Sequence, residues 1–298
     1  MRAFVAFFGL LLLGLAGIAA LSYPAWLLLT PHFDFEFHRV ATRIGMLIVL
    51  IGFILTSRRL QLADRVSLGY GLPTRHFLRA AACNLLLGVA TMLPVVGFML
   101  LMKLRLLRPD VTADFATLAV IAKQGILSGI AVALIEETFL RGAMYTGIRR
   151  QAGAATAILL TSLVFAALHF IGRYHIDKAN VGPGSGVDLL AGTFAQLSDP
   201  ARIGDAFISL FAVGVVLGAV REVTGNIAAC IGLHAGWVWV ITFVREMSIL
   251  NDQSSMSWLL SKFDGVVGWA MLTWTIVMGW YLVRHFQTRR TLSAAGAG

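Results

Sequence analysis

Long apolar stretches recur along the whole chain, separated by short clusters of charged, proline and glycine residues. A helix needs about 20 residues to cross a hydrocarbon core of about 30 Å, and eight stretches approach or exceed that length. They run from Phe4 to Leu29, Val40 to Thr56, Arg79 to Leu101, Leu118 to Ile148, Ala154 to Ile171, Ala206 to Val220, Ile227 to Val244 and Gly265 to Val283. The sixth is short for a full crossing, so a tilted or partly re-entrant helix is expected there. The first follows Arg2 but is too long for the apolar region of a signal peptide, and it reads as a retained span.

Composition supports this pattern. Of 298 residues, 58% are hydrophobic and only 13% are charged, whereas a soluble globular chain carries about 25% charged residues. Too few charges remain to cover a water-facing surface. The expected fold is therefore all-α, a single integral membrane domain over 1–298 with about eight transmembrane helices. Cys83 and Cys230 each sit inside an apolar stretch and read as small core residues rather than a disulfide or a metal pair.

The net charge of +9 would raise the question of nucleic acid in a soluble chain, but here the basic residues flank apolar segments. They read as topology signals and lipid contacts, and no nucleic-acid partner is expected. Placing both termini in the cytoplasm puts Arg2, Arg58, Arg59, Arg65, Arg75, Arg79, Arg149, Arg150, Arg221, Arg284, Arg289 and Arg290 on the inner side. The expected location is a bacterial inner (plasma) membrane. The outer loop from Gly172 to Asp205 contains Gly182, Pro183, Gly184 and Gly186 and reads as irregular. The inner loop from Arg58 to His76 reads as an amphipathic segment lying on the membrane surface.

Three of the spans carry residues that hydrocarbon does not tolerate cheaply. Glu136 and Glu137 are adjacent in the fourth, at a cost of about 2.5 to 3.5 kcal/mol for an acidic residue at a helix centre, so such residues normally face the bundle interior and serve function. Residues four apart share a helix face, which pairs Glu137 with Arg141 and leaves Glu136 free to point into a cavity. His169 lies in the fifth span. If the fourth and fifth spans form a hairpin turning near Gln151 and Ala152, Glu136 and His169 both lie roughly 23 to 26 Å from the turn and can meet. The seventh span supplies His234, between Gly232 and Gly236, where small residues permit close helix approach. Alone, either histidine is more often a satisfied core residue than a reactive one.

Together these segments resemble the CPBP intramembrane peptidases, a family of CAAX proteases and bacteriocin-processing (Abi) enzymes. Glu136, Glu137 and Arg141 match its Glu-Glu-x-x-x-Arg motif, Phe165 and His169 its Phe-x-x-x-His motif, and His234 the start of its His-x-x-x-Asn/Asp motif. The fourth residue after His234 is Val238, which departs from the pattern. The resemblance covers roughly Ile121 to Trp239 and implies a peptidase-like core over 121–239 within a bundle of about eight helices. It also implies a hydrolase, an intramembrane protease of glutamate or metal dependence, with a peptide or membrane-protein substrate and membrane lipids around it.

On that reading Glu136, supported by His169, activates a water, His234 stabilises the oxyanion, and Glu137 with Arg141 holds the helix in register. The family's metalloprotease label admits Zn²⁺ held by His169, His234 and Glu136, although the chain has no His-Glu-x-x-His motif. Asn226 and Trp239 are the candidates to replace the amide absent at Val238. The segment from Gly182 to Gly186 fits no serine nucleophile elbow. Two rival classes use the same residues: a membrane scaffold that binds a membrane-protein partner, favoured by Val238, and a proton-coupled transporter, which predicts an internal repeat that the sequence lacks.

Overall fold

The computed structural model of the chain describes every residue except 113, 172–173 and 296–298, and every described side chain except those of 196 and 289–295. The side chains of Arg289 and Arg290, and Gly172 at the start of the expected outer loop, thus lie outside the described residues. The fold is a helical bundle, with Arg2–Leu29 as α1, Phe37–Arg59 as α2, Thr74–Leu101 as α3 and Phe115–Glu137 as α4. A π-helical turn, Thr138–Met144, joins α4 directly to α5, Tyr145–Leu168. Then follow α6 (Ser185–Leu197), α7 (Pro200–Thr224), α8 (Ala228–Met247) and α9 (Trp269–Ala295).

Among the described residues, six helical stretches are long and apolar enough to cross a membrane. One of these, the 54-residue stretch Phe115–Leu168, reverses at Gly153, whose φ of +83° no side-chain-bearing residue adopts readily. It makes two antiparallel arms. The outer surface is apolar, with Leu47 at 56% exposure, Leu86 at 67% and Trp280 at 67%. That distribution suits hydrocarbon rather than water as the surrounding solvent.

Helix α8 is the centre of the bundle. Every residue from Ala228 to Trp237 is buried, as expected of a helix that is apolar on all sides. Glycines make its close contacts on two flanks. A Cβ on Gly232 would stand 2.3 Å from the Ala81 carbonyl oxygen of α3, and one on Gly236 2.5 Å from that of Leu85. On the other flank, a Cβ on Gly129 of α4 would stand 2.7 Å from the Ala235 carbonyl oxygen. Without side chains at these points the backbones approach and dispersion contacts accumulate, the main source of helix association in lipid.

Helix α7 begins at an Asp199 cap, whose carboxylate accepts from the Ala201 amide at 3.1 Å, and ends at Gly225 in the left-handed region with φ of +71°. It packs between α5 and α9, with Gly214 against Ser162 of α5 and Gly279 of α9 against Val216.

Three connections differ from the expectations. The connection between α5 and α7, expected to be irregular, contains α6, 13 residues long, seated on α1 so closely that a Cβ on Gly186 would stand 2.4 Å from the Ala19 carbonyl oxygen. The glycines that suggested irregular chain instead permit this docking. The loop between α2 and α3 is a run of turns, largely exposed, that is anchored to the bundle at a few points. Leu62 and Ser67 are buried in it, and the Ile227 amide donates to the Gly69 carbonyl at 3.0 Å. At the opposite end, Arg105–Leu107 (β1) pairs antiparallel with Ser248–Leu250 (β2), tying α3 to α8. Buried Arg105 secures this ribbon through Ser248, with Nε to Oγ at 2.8 Å and Nη2 to the carbonyl at 2.6 Å. Cys83 is exposed and Cys230 buried, and neither forms a disulfide.

Candidate active site

The polar centre is assembled from α4, the π-helical turn, α5 and α8. Its most enclosed member is Glu137, fully buried at the end of α4. Its Oε1 accepts from Arg141 Nη1 at 3.0 Å, as the spacing of four residues predicted, and also pairs with His234 Nδ1 at 2.8 Å. A buried charge is tolerated when paired and hydrogen-bonded; here the cation and the imidazole share Oε1, and Oε2 has no hydrogen-bond partner among the described residues. Arg141, also fully buried, extends Nη2 to the Gly214 carbonyl of α7 at 3.2 Å and lies over the Phe165 ring at 4.6 Å. Arg221 of α7 in turn donates from Nε to the Arg141 carbonyl at 2.9 Å. The wide turn carrying Arg141 is thus held from side chain and backbone together, as π-helical turns commonly are at functional positions.

Phe165 is the spacer between the histidines. Its buried ring meets His169 edge-on at 4.4 Å between centroids and His234 at 5.7 Å. His169 Nδ1 lies 2.8 Å from the Phe165 carbonyl oxygen. A carbonyl only accepts, so Nδ1 carries the proton, and the neutral ring presents Nε2 as an unshared pair. Glu136 is half-buried, and its Oε2 is shielded from solvent with no hydrogen-bond partner among the described residues. Of the five residues singled out from sequence, Glu137, Arg141 and His234 are bonded to one another, His169 is linked to this group through the Phe165 ring, and Glu136 adjoins it along the chain.

Two contacts were not anticipated. The link from Glu137 to His234 joins residues on different spans with no shared periodicity to reveal it. Arg221 reads in sequence as a loop-flanking topology signal, yet it braces the helix that carries the glutamates. The proposed substitutes for the missing amide lie elsewhere. Asn226 caps α8, accepting from the Ala228 amide at 3.0 Å and donating to the Thr224 carbonyl at 2.9 Å. Trp239 packs on Gly125, three turns of α4 before Glu136 and so about 16 Å along the helix.

Among the described residues no three His, Cys, Asp or Glu side chains are grouped so as to hold one metal ion. Glu136, His169 and His234 accordingly do not form a ligand set of the kind a zinc site requires.

A family model described as Rce1-like, type II CAAX prenyl endopeptidase, matches residues 119–240. The matched stretch coincides with the segment, Ile121 to Trp239, that carries the Glu-Glu, Phe–His and His motifs, and it agrees with their resemblance to the CPBP intramembrane peptidases. Residues 119–240 of this helical bundle are thus similar to the CAAX prenyl endopeptidases. Comparison with curated proteins and with solved structures finds no match for the chain.

Proposed function

We propose that this chain, with its core matching the CAAX prenyl endopeptidases, is an intramembrane endopeptidase that hydrolyses a peptide bond of a membrane-associated substrate without a metal ion. Two observations support the reading: Glu136 has an unpartnered, solvent-shielded carboxylate oxygen, and His169 has its Nδ1 committed to a backbone carbonyl, which leaves Nε2 free to face the same water. Hydrolysis needs a water, a base for it and a donor for the oxyanion. A water lying between ionised Glu136 and His169 Nε2 would meet two acceptors, so both its protons would be engaged and its lone pair would face the substrate carbonyl.

In this mechanism Glu136 takes a proton as the water oxygen bonds to the carbonyl carbon. The carbonyl π electrons move to oxygen, and His234 in its doubly protonated form donates from Nε2 to the resulting oxyanion. The tetrahedral carbon then re-forms the carbonyl, the C–N bond breaks, and the proton on Glu136 passes to the departing amine. Glu137 and Arg141 touch no reacting atom; they fix the imidazole of His234, much as a buried carboxylate orients the histidine of a catalytic triad. The substrate we infer is a peptide carrying a prenyl group near its C-terminus.

Glu136→Gln and His169→Ala, purified in detergent and presented with prenylated and unprenylated model peptides, test the assignment. Loss of one general acid–base group costs about 10² to 10⁴ in rate, so both variants should fall by at least about 10² with unchanged thermal stability. Retained cleavage in either would sink the mechanism. Val238 favours a second reading, a scaffold of the same fold that binds a membrane-protein partner. Full cellular function in both variants would select it.

A further inference from the structure

A cavity of about 780 Å³ lies where the α2–α3 loop, the first turns of α5 and the last turn of α7 meet, at the arginine-rich end of the bundle. It is separate from the candidate active site, and three guanidinium groups line it: Arg149, Arg150 and Arg221. Glu222 is the one acidic side chain in its wall, and it is fully engaged. Arg149 bonds it twice, from Nε at 2.7 Å and Nη2 at 2.8 Å, and the Tyr145 hydroxyl donates to it as well. Arg149 and Glu222 thus cancel, leaving Arg150 and Arg221 as net positive charge.

Those two groups are held in place. Arg150 donates from Nη2 to Ser67 Oγ at 2.6 Å and from Nη1 to the Gln61 carbonyl at 3.3 Å. Arg221 is only 7% exposed, fixed through Nε to the Arg141 carbonyl and lying 5.6 Å from the centroid of the Tyr145 ring. Among the described residues its Nη1 and Nη2 have no hydrogen-bond partner. A topology signal needs only to reach the water at the membrane boundary, where long basic side chains extend their heads outward. Bracing the π-helical turn uses Nε alone. Neither role explains a largely buried side chain that lines the cavity with its two outer nitrogens unspent, and a rigid fork of this kind matches the oxygens of a phosphate.

We propose that this cavity is a binding site for a phosphate group, with Arg221 and Arg150 as its donors. The volume exceeds that of a bare oxyanion, and Val66, Leu72 and Phe286 give it apolar walls, so the phosphate is carried on a larger carbon skeleton. A lipid headgroup and a soluble phosphate ester share that chemistry. Basic pockets between membrane helices commonly take the former.

The test uses the full chain in detergent. Glycerol 3-phosphate is titrated by calorimetry, and retention of phosphatidylglycerol against phosphatidylcholine is followed by native mass spectrometry. Saturable binding of either probe is expected. Arg150→Gln should weaken it about 10-fold or more, the scale of one lost charge-assisted hydrogen bond, whereas Glu222→Gln should tighten it about 3-fold or more by releasing Arg149. Retention of the lipid alone identifies a headgroup site, and displacement of the lipid by glycerol 3-phosphate identifies one open to soluble esters. Absence of saturable binding of both probes, or equal binding by the wild type and both variants, overturns the proposal.

Discussion

His234 Nδ1 meets Glu137 Oε1 at 2.8 Å although the two residues lie 97 positions apart on different helices. The adjacent glutamates thereby acquire distinct duties. Each keeps one unpartnered oxygen, but only Glu137 is bonded through the other, joining Arg141 on its own helix to the imidazole of α8. A pair of acids that looks redundant in sequence is, in three dimensions, one candidate reactive group and one anchor.

Removing the charge of that anchor should cost both stability and rate. Glu137→Gln leaves Arg141 buried without its carboxylate, and breaking a buried pair on one side typically costs about 3 to 5 kcal/mol. Thermal unfolding in detergent should register the loss. Under the proposed mechanism kcat falls further than KM rises, because His234 loses its orientation while the substrate contacts remain. Unchanged stability and kcat would show that the contact holds nothing in place.

Val238 stands where the matching family places an amide. Val238→Asn should raise kcat about 10-fold, a fraction of the 10² to 10³ that a single oxyanion-hole donor can supply. Steady-state cleavage of a prenylated peptide measures it. No change would mean that this chain manages its oxyanion without a group at that position.

Glycines at Gly153 and Gly232 should respond to alanine for different reasons. Gly153 has open space around it and a φ of +83°, so Gly153→Ala carries only backbone strain, about 1 to 2 kcal/mol. Gly232→Ala drives a methyl to 2.3 Å from the Ala81 carbonyl oxygen, and overpacking of this kind costs about 1 to 3 kcal/mol or more. Thermal denaturation should rank Gly232→Ala below Gly153→Ala, and cleavage should be lost first where α3 and α8 are forced apart.

Asp114 caps α4 outside the membrane span, accepting from the Thr117 amide at 3.0 Å. The Thr117 amide, followed by the Thr112 and Thr117 hydroxyls, holds its carboxyl at about 2 against an ordinary 3.8. A depressed carboxyl stabilises the fold above its unfolded value, so the contribution is whole above about pH 4 and fades as pH falls towards 2. Asp114→Ala should lower the midpoint of thermal unfolding at pH 7 and leave it unchanged relative to the wild type near pH 2.

Much of this architecture could be read from the chain itself, because hydrocarbon as solvent leaves few choices. Apolar length located the spans, and equal spacing about residues 151 and 152 anticipated the break at Gly153 between the arms that carry Glu136 and His169. What stayed hidden depends on packing between distant segments. Gly186 reads as a loop former until α1 is present for it to rest on. The ribbon of β1 and β2 is three residues long on each side, too short for alternation to announce it. The bond between Glu137 and His234 follows from the docking of α4 on α8, and the missing solvent contact of Arg221 from the closure of α7 over the π-helical turn.

The reversal at Gly153 also makes a lever of the two arms it joins. Glu136 and His169 sit roughly 25 Å out along them at 1.5 Å per residue, so a change of only about 5° in the angle there would move one against the other by about 2 Å. A Cβ placed at Gly153 would meet nothing within 4 Å, so no side-chain packing at that point holds the angle. The angle is set instead by the packing of α5 on α7 and by the grip of Arg141 and Arg221 on the wide turn. The separation of the two candidate reactive groups is therefore governed by residues that touch neither of them.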